Sequence, residues 1–308
     1  MALSGLRVRP IASVDLPGAR LRKRRTQPWM PWLFLIPGLA LFAVTFAWPA
    51  VIAVQLAFSR YDVVHPVTFV GLDNFAEMLV DDRFHKALLN SGLFLLMFLP
   101  LVVVVPLFLA ILVNVKLPWV QGFRALYYLP GITSMVAVAV AWQLVLGRTG
   151  AASWLLTLVG LDPVSFLLDP NLALPAVVAI EAWKSMGFYM MIYLAGLQAI
   201  PPELIEAAKV DGASAIRRVW HVIVPGMLPI FGVTLTLAML SAAQAFESVF
   251  VLTRGGPQDA TLTLGYYIWQ KAFQNHDMGY ASAIGLFLWL IMIVLSLLNL
   301  RATRTEAS

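Results

Sequence analysis

Residues 87–115 read ALLNSGLFLLMFLPLVVVVPLFLAILVNV, a stretch between Lys86 and Lys116 without one charged side chain. An α-helix rises about 1.5 Å per residue, so roughly 20 apolar residues cross the hydrocarbon of a bilayer. In lipid, backbone N–H and C=O groups must find partners within the segment, so a run of this length and composition is a spanning helix. Pro100 and Pro106 lie inside it, where neighbouring helices can shelter the carbonyls they free.

The same reading extends in both directions. Uncharged stretches of spanning length lie between Arg25 and Arg60, Arg124 and Arg148, Arg218 and Glu247, and Asp277 and Arg301. A further span, about 172–198, is interrupted by Glu181 and Lys184. The expected fold class is an all-α polytopic membrane protein with six transmembrane helices and a cytoplasmic loop after the fourth. The expected spans are about 31–58, 87–115, 125–147, 172–198, 226–250 and 279–300 within a permease domain of residues 29–300. A basic tail, 1–28, precedes it and a short tail, 301–308, follows.

Whole-chain composition agrees. The 308 residues are 60% hydrophobic and 12% charged, with mean hydropathy +0.83. Soluble domains carry about a quarter charged residues. Absence of cysteine excludes disulfides and thiolate metal sites. The net charge of +5 is no nucleic-acid signal, because the basic residues cluster in one tail and a few loops. Residues 1–25 are polar and end in Arg22, Lys23, Arg24 and Arg25, which suits a cytoplasmic anchor on anionic lipid better than a cleaved leader. With the N-terminus inside, 14 of the 21 lysines and arginines fall in inside segments and 6 in outside ones. That bias places both termini, and the 199–226 loop, in the cytoplasm.

This loop contains PPELIEAAKVDGASAIRRVWHVIVP, residues 201–225. Pro201 and Pro202 suit a helix entry, and Glu203 and Glu206 in its first turns suit the helix dipole. Ala207 and Ala208 are strong helix formers. Gly212, helped by Asp211, is a C-terminal stop. Ser214 then caps a second short helix through Val224, which Pro225 ends. The small Ala-Ala-Gly surface allows close approach of another backbone, and Arg217 and Arg218 offer charged contacts. On the residues alone, a docking knob and an amphipathic hairpin resting on lipid are equally open.

The loop resembles the EAA signature of ABC importer permeases: Glu-Ala-Ala, three residues, Gly, nine residues, then Ile-x-Leu-Pro. Glu206, Ala207, Ala208, Gly212 and Pro225 stand at that spacing, with Val222 and Val224 in place of Ile and Leu. Asp211-Gly212-Ala213 resembles the carbohydrate branch, of maltose and glycerol-3-phosphate type. FVGLDNFAEML (69–79), LAGLQAIPP (194–202), LTRGGPQDATLT (252–263) and Met278–Ala281 resemble other segments of the same family, so the likeness runs from about residue 30 to 300.

The resemblance implies an inner-membrane permease of a binding-protein-dependent importer for a sugar or sugar-like solute. Its coupling residues would be Glu206, Ala207, Ala208, Asp211, Gly212, Ala213 and Pro225, seated in a groove of an ATPase subunit. Its partners would be a second homologous permease, two ATPase subunits that bind ATP and Mg, an extracytoplasmic solute-binding protein, and lipid. This chain itself would be no enzyme and would carry no cofactor, metal or nucleic acid. In keeping with that, no Gly-Lys-Ser or Gly-Lys-Thr of a P-loop occurs. A permease for glycerol-phosphate esters is the alternative. An ion-coupled secondary transporter is a more distant one, since no internal repeat is visible.

Intramembrane polar groups are the candidates for the solute path, because charge facing lipid is costly. Glu181, Lys184, Ser185 and Phe188 share one face of the fourth span, with Trp183 and Tyr189 available to stack on a sugar. Pairing of Glu181 with Lys184 as structural glue is the competing expectation. In the fifth span, Ser241, Gln244 and Ser248 share a face with Glu247 at its edge. Asn90 and Ser91 are weaker candidates. Gly255-Gly256-Pro257 marks an outer turn that, by resemblance, faces the binding protein. Trp29, Trp32, Trp119, Tyr127 and Tyr128 read as an interfacial belt. The four histidines (His65, His85, His221, His276) form no HExxH pair, and no GxSxG elbow occurs.

Overall fold

A computed structural model describes residues 29–115 and 118–305. The basic tail 1–28 and the end of the C-terminal tail, 306–308, lie outside the described residues. The chain divides into two units, 1–50 and 51–308.

α1 (Met30–Phe42) of the first unit runs through a wide π turn at Ala43–Ala47 into α2 (Trp48–Ala57), whose residues from Val51 on belong to the second unit. Pro49 has no N–H to give the carbonyl of Thr45, and the wider turn falls over that gap. Side chains from Trp32 to Ala50 are exposed all round, as in a helix bathed in lipid.

After α2 the second unit continues with a hairpin of two-residue strands, β1 (Ser59–Arg60) on β2 (Thr68–Phe69), with Ser59 opposite Phe69. The amphipathic α3 (Asp73–Val80) follows and leads to α4 (Asp82–Val113), a 32-residue helix holding both Pro100 and Pro106. Asp81 caps α4, accepting from the amides of Arg83 and Phe84. Phe84, Ala87, Phe94, Phe98, Val102, Pro106, Ala110 and Val113 form its buried stripe.

The expected third span, 125–147, is divided between α5 (Val120–Ile132) and α6 (Met135–Leu146). Thr133 is extended, and Ser134 caps the new helix by accepting from the Val136 amide. After α7 (Ala151–Leu158), α8 (Ala173–Ala199) is a continuous 27-residue helix. Then come α9 (Pro202–Val210), α10 (Ala215–Arg218), a π turn at Val219–Ile223, α11 (Val224–Gly226) and α12 (Leu228–Ala243). The expected fifth span, 226–250, is interrupted: α12 ends at Ala243, and α13 (Glu247–Leu252) is separate. Finally α14 (Leu264–Trp269) leads through a π turn into α15 (Met278–Thr305).

Among the described residues, Trp32–Ala57, Asp82–Val113, Met135–Leu158 and Met278–Arg301 are long and apolar enough to span a membrane alone. Two further pairs qualify as bent spans, Ala173–Ala199 with Pro202–Val210 and Ala215–Gly226 with Leu228–Ala243, giving up to 6. The fold is thus all-α and polytopic.

Within the second unit, α4 packs on α8 and α12, α5 on α8, and α12 on α15. Lipid tails compete equally for apolar side chains, so close backbone approach matters more here than burial from water. Gly187 provides it: a Cβ there would run into the carbonyl oxygen of Tyr127 on α5.

Candidate functional site

The loop after α8 is a bent, self-capped knob. Ile200, ahead of Pro201, is extended, as the residue before a proline prefers to be. Pro202 opens α9, which leaves α8 at an angle of 70°. Glu203 sits in the first turn and Lys209 in the last, each at the favourable end of the dipole. The stop is at Gly212, with φ +75°, a conformation that a residue without Cβ adopts freely. Around it the Asp211 and Ala213 amides donate to the carbonyls of Ala207 and Ala208, each at 2.9 Å. Ser214 then accepts from the Arg217 amide, and Arg218 Nη1 donates to the Ala213 carbonyl at 2.7 Å.

The second arm runs further than its sequence suggests. The π turn at Val219–Ile223 and α11 carry it through Pro225 to Gly226, and the chain turns by 69° at Met227. Pro225 stands in the first turn of α11, where its missing N–H is harmless, so it does not end the arm.

Glu206, Ala207, Asp211, Gly212 and Pro225 are exposed, while Ala208 and Ala213 are half-buried. Beside them Val210 (88% exposed), Ile216 (73%), Trp220 and Leu204 project into solvent. These four apolar side chains are thus exposed on a loop that also carries charge. The opposite side of the knob is rooted. Ile205 and Ile223 pack against a buried cluster of Ala110, Val113, Tyr193, Leu197 and Met227, drawn from α4, α8 and the α11–α12 corner. Sequence reading did not find this root.

Four of the expected path residues share one cavity. Lys184, Ser185 and Tyr189 of α8 and Ser241 of α12 line a space of about 180 Å³ with Tyr128, Gly131 and Phe188. The Tyr189 hydroxyl donates to Ser241 Oγ at 3.3 Å. Tyr128, expected in the interfacial belt, therefore lines the cavity instead. Trp183 lies outside it, edge-to-face with Trp142 at 5.4 Å between centroids, in an apolar cleft.

Glu181, Gln244 and Glu247 do not line the cavity. Glu181 is half-buried and lies beside Ser248. It makes no ion pair with Lys184: among the described residues, the ion pairs within 4.0 Å are His65–Asp62 and Arg83–Asp259. Gln244 occupies the C-cap of α12, and the Phe246 amide folds back onto its carbonyl at 2.7 Å. This turn breaks the helical register, so Ser248 is buried while Ser241, Gln244 and Glu247 are exposed. Among the described residues, no three His, Asp or Glu side chains are grouped to hold a metal.

Asn90 and Ser91 serve the loop that follows α13. Asn90 Nδ2 donates to the carbonyls of Asp259 (2.9 Å) and Leu262 (3.1 Å), and Ser91 Oγ accepts from the Leu264 amide. Two turns earlier, Arg83 holds Asp259 through two bonds of 2.9 Å. Asp81 accepts from the hydroxyls of Tyr267 (2.6 Å) and Tyr280 (2.7 Å), with Lys271 Nζ over the Tyr280 ring. Burial pushes the Asp81 carboxyl up. The two phenols, the Phe84 amide and the Lys271 charge outweigh it, and its pKa lies below the ordinary 3.8.

Residues 76–304 match the family described as the inner membrane component of binding-protein-dependent transport systems. The arabinooligosaccharides transport system permease protein AraP of Bacillus subtilis (strain 168) is 31% identical over 275 residues, covering 88% of this chain and 87% of the relative. The crystal structure of a bacterial ABC transporter that imports the acidic polysaccharide alginate contains a chain with TM-score 0.78 and 27% identity, covering 90% of this chain and 96% of that one. The alginate transporter in complex with its pentasaccharide-bound periplasmic protein gives 0.77 and 27%, covering 90% and 94%.

Proposed function

The chain belongs to the family of binding-protein-dependent transport system inner membrane components, and on that premise we propose that it is one permease subunit of an ATP-driven importer for a sugar or sugar-like solute. Its partners are a second homologous permease, two ATPase subunits that bind ATP and Mg, and an extracytoplasmic solute-binding protein. It lies in the cell inner membrane with both termini in the cytoplasm, as the lysine and arginine bias supports.

The observation that carries this reading is the knob of residues 202–226, capped at both arms, bent out of α8 and α12 by 70° and 69°, and apolar at its exposed tip. A rigid projection of this kind suits a groove in an ATPase subunit. Glu206, Ala207, Ala208, Asp211, Gly212, Ala213 and Pro225 form its coupling surface. Ile205 and Ile223 tie it to the inner ends of α4, α8 and α12. Two of those helices, α8 and α12, also wall the cavity of Lys184, Ser185, Tyr189 and Ser241. Closure of the ATPase pair on ATP then moves the walls of the solute path. A ligand or nucleotide shifts such an equilibrium only through different contacts in its two states.

The cavity suits a sugar. Four hydroxyls and one ammonium offer hydrogen bonds, and the rings of Tyr128 and Phe188 offer faces for stacking. Glu181, Gln244 and Glu247 belong to the same path outside the cavity. Purification of the complex and ATP-dependent sugar uptake in proteoliposomes test the reading. Uptake that continues without the ATPase subunits would refute it.

A further inference from the structure

The loop between α13 and α14 holds an unusual backbone. Arg254, Gly255, Gln258 and Asp259 all have φ between +49° and +81°, and three of the four carry side chains that disfavour that region. The loop is tied internally: the Gly256, Ala260, Thr261 and Leu262 amides donate to the carbonyls of Thr253, Pro257, Gly255 and Asp259, and the Thr261 hydroxyl donates to the Gly256 carbonyl and meets Thr253 at 2.7 Å. One face of α4 adds a second set of bonds from outside the loop. Arg83 grips the Asp259 carboxylate in two-pronged fashion, Lys86 donates to the Gln258 carbonyl, Asn90 holds the Asp259 and Leu262 carbonyls, and Ser91 receives the Leu264 amide. The spacing of 83, 86, 90 and 91 is that of a single helical face. Gripped from this side, the loop leaves Arg254 and Gln258 exposed.

We infer that Arg83 and Asn90 are positioning residues that hold residues 254–259 ready-shaped for the docking of the solute-binding protein. The inference rests on the importer reading above. A loop that is shaped before contact loses little freedom on contact, so its affinity is higher than that of a slack loop. Arg254 and Gln258 present N–H donors to the partner, which calls for carboxylate or carbonyl acceptors on the docking face. Loss of the clamp therefore acts on the concentration of binding protein needed, and leaves the ATPase cycle intact once docking has occurred.

The test uses the assembled importer in proteoliposomes and the solute-binding protein that purifies with it, with ATP hydrolysis as the readout. Arg83→Ala and Asn90→Ala are expected to raise the binding-protein concentration for half-maximal stimulation roughly tenfold, with basal and plateau rates unchanged. Asp259→Asn gives the same shift should Arg83→Ala fold poorly. The reversed pair Arg83→Asp with Asp259→Arg recovers much of the loss. An unchanged half-maximal concentration, or a lowered plateau without a shift, overturns the inference and leaves the importer reading standing. Failure of the binding protein to stimulate the unaltered importer overturns that reading, and the inference with it.

Discussion

Gly187 on α8 touches the backbone of Tyr127 on α5 so closely that the two helices meet without a side chain between them. The contact fixes the wall that brings Tyr128 to Lys184 and Ser185. Gly187→Ala must push α5 away, at a cost of about 1–3 kcal/mol, as overpacking in tight cores does. Gly131→Ala is the control, since its Cβ would lie 3.4 Å from the Lys184 carbonyl, near ordinary contact. Thermal unfolding in detergent should separate the two, with a clear drop for Gly187→Ala and little change for Gly131→Ala.

Gly212→Asp should stay folded and in the membrane yet abolish transport. Nothing lies within 4 Å of a Cβ at this position, and Asp tolerates the left-handed backbone better than most residues. The damage is a charge planted on the coupling surface. Membrane content, ATPase co-purification and uptake are the measurements. Normal solute-stimulated hydrolysis in this variant would remove the knob from the coupling role.

The cavity gives a third outcome. Ser241→Ala removes the partner of the Tyr189 hydroxyl and one hydroxyl from the cavity wall, and should raise the KM for uptake several-fold with basal ATP hydrolysis unchanged. Ser241→Trp should fill the space and stop uptake. Glu181→Gln, outside the cavity, should alter turnover more than KM. An unchanged KM in Ser241→Ala with uptake surviving in Ser241→Trp would detach Ser241 from the solute path, and unaltered uptake kinetics in Glu181→Gln would detach Glu181.

Asp81 predicts a pH response. Its folded pKa lies below 3.8, so below that value the unfolded chain binds more protons than the folded one. The stabilisation by Tyr267 and Tyr280 is therefore complete above about pH 4 and is lost as pH falls further. Unfolding midpoints taken from pH 6 to pH 3 should fall steeply only at the acid end. Asp81→Asn should flatten that fall while lowering stability at pH 6.

The spanning helices were legible because lipid imposes a length and excludes charge, and both can be counted along the chain. The knob was legible because Pro202, Gly212 and Ser214 punctuate it locally. Gln244 was misplaced on a face with Ser248 because the periodicity assumed one continuous helix, and the tight turn at 244–246 resets the phase. Asn90 and Ser91 could not be assigned to the 259–264 loop, since their partners stand about 170 residues away and no local pattern encodes that meeting. Tyr128 read as interfacial because a tyrosine at a helix end ordinarily is, and its place in the cavity lining depends on the packing of α5 on α8, which no local pattern encodes.

The root formed by Ile205, Ile223 and Met227 has a mechanical consequence. A lever transmits force without slippage only if its fulcrum is stiff. Both arms of the knob share one anchorage, so a methylene lost there should introduce backlash. An importer softened in this way would keep burning fuel at full speed and deliver less cargo for each cycle.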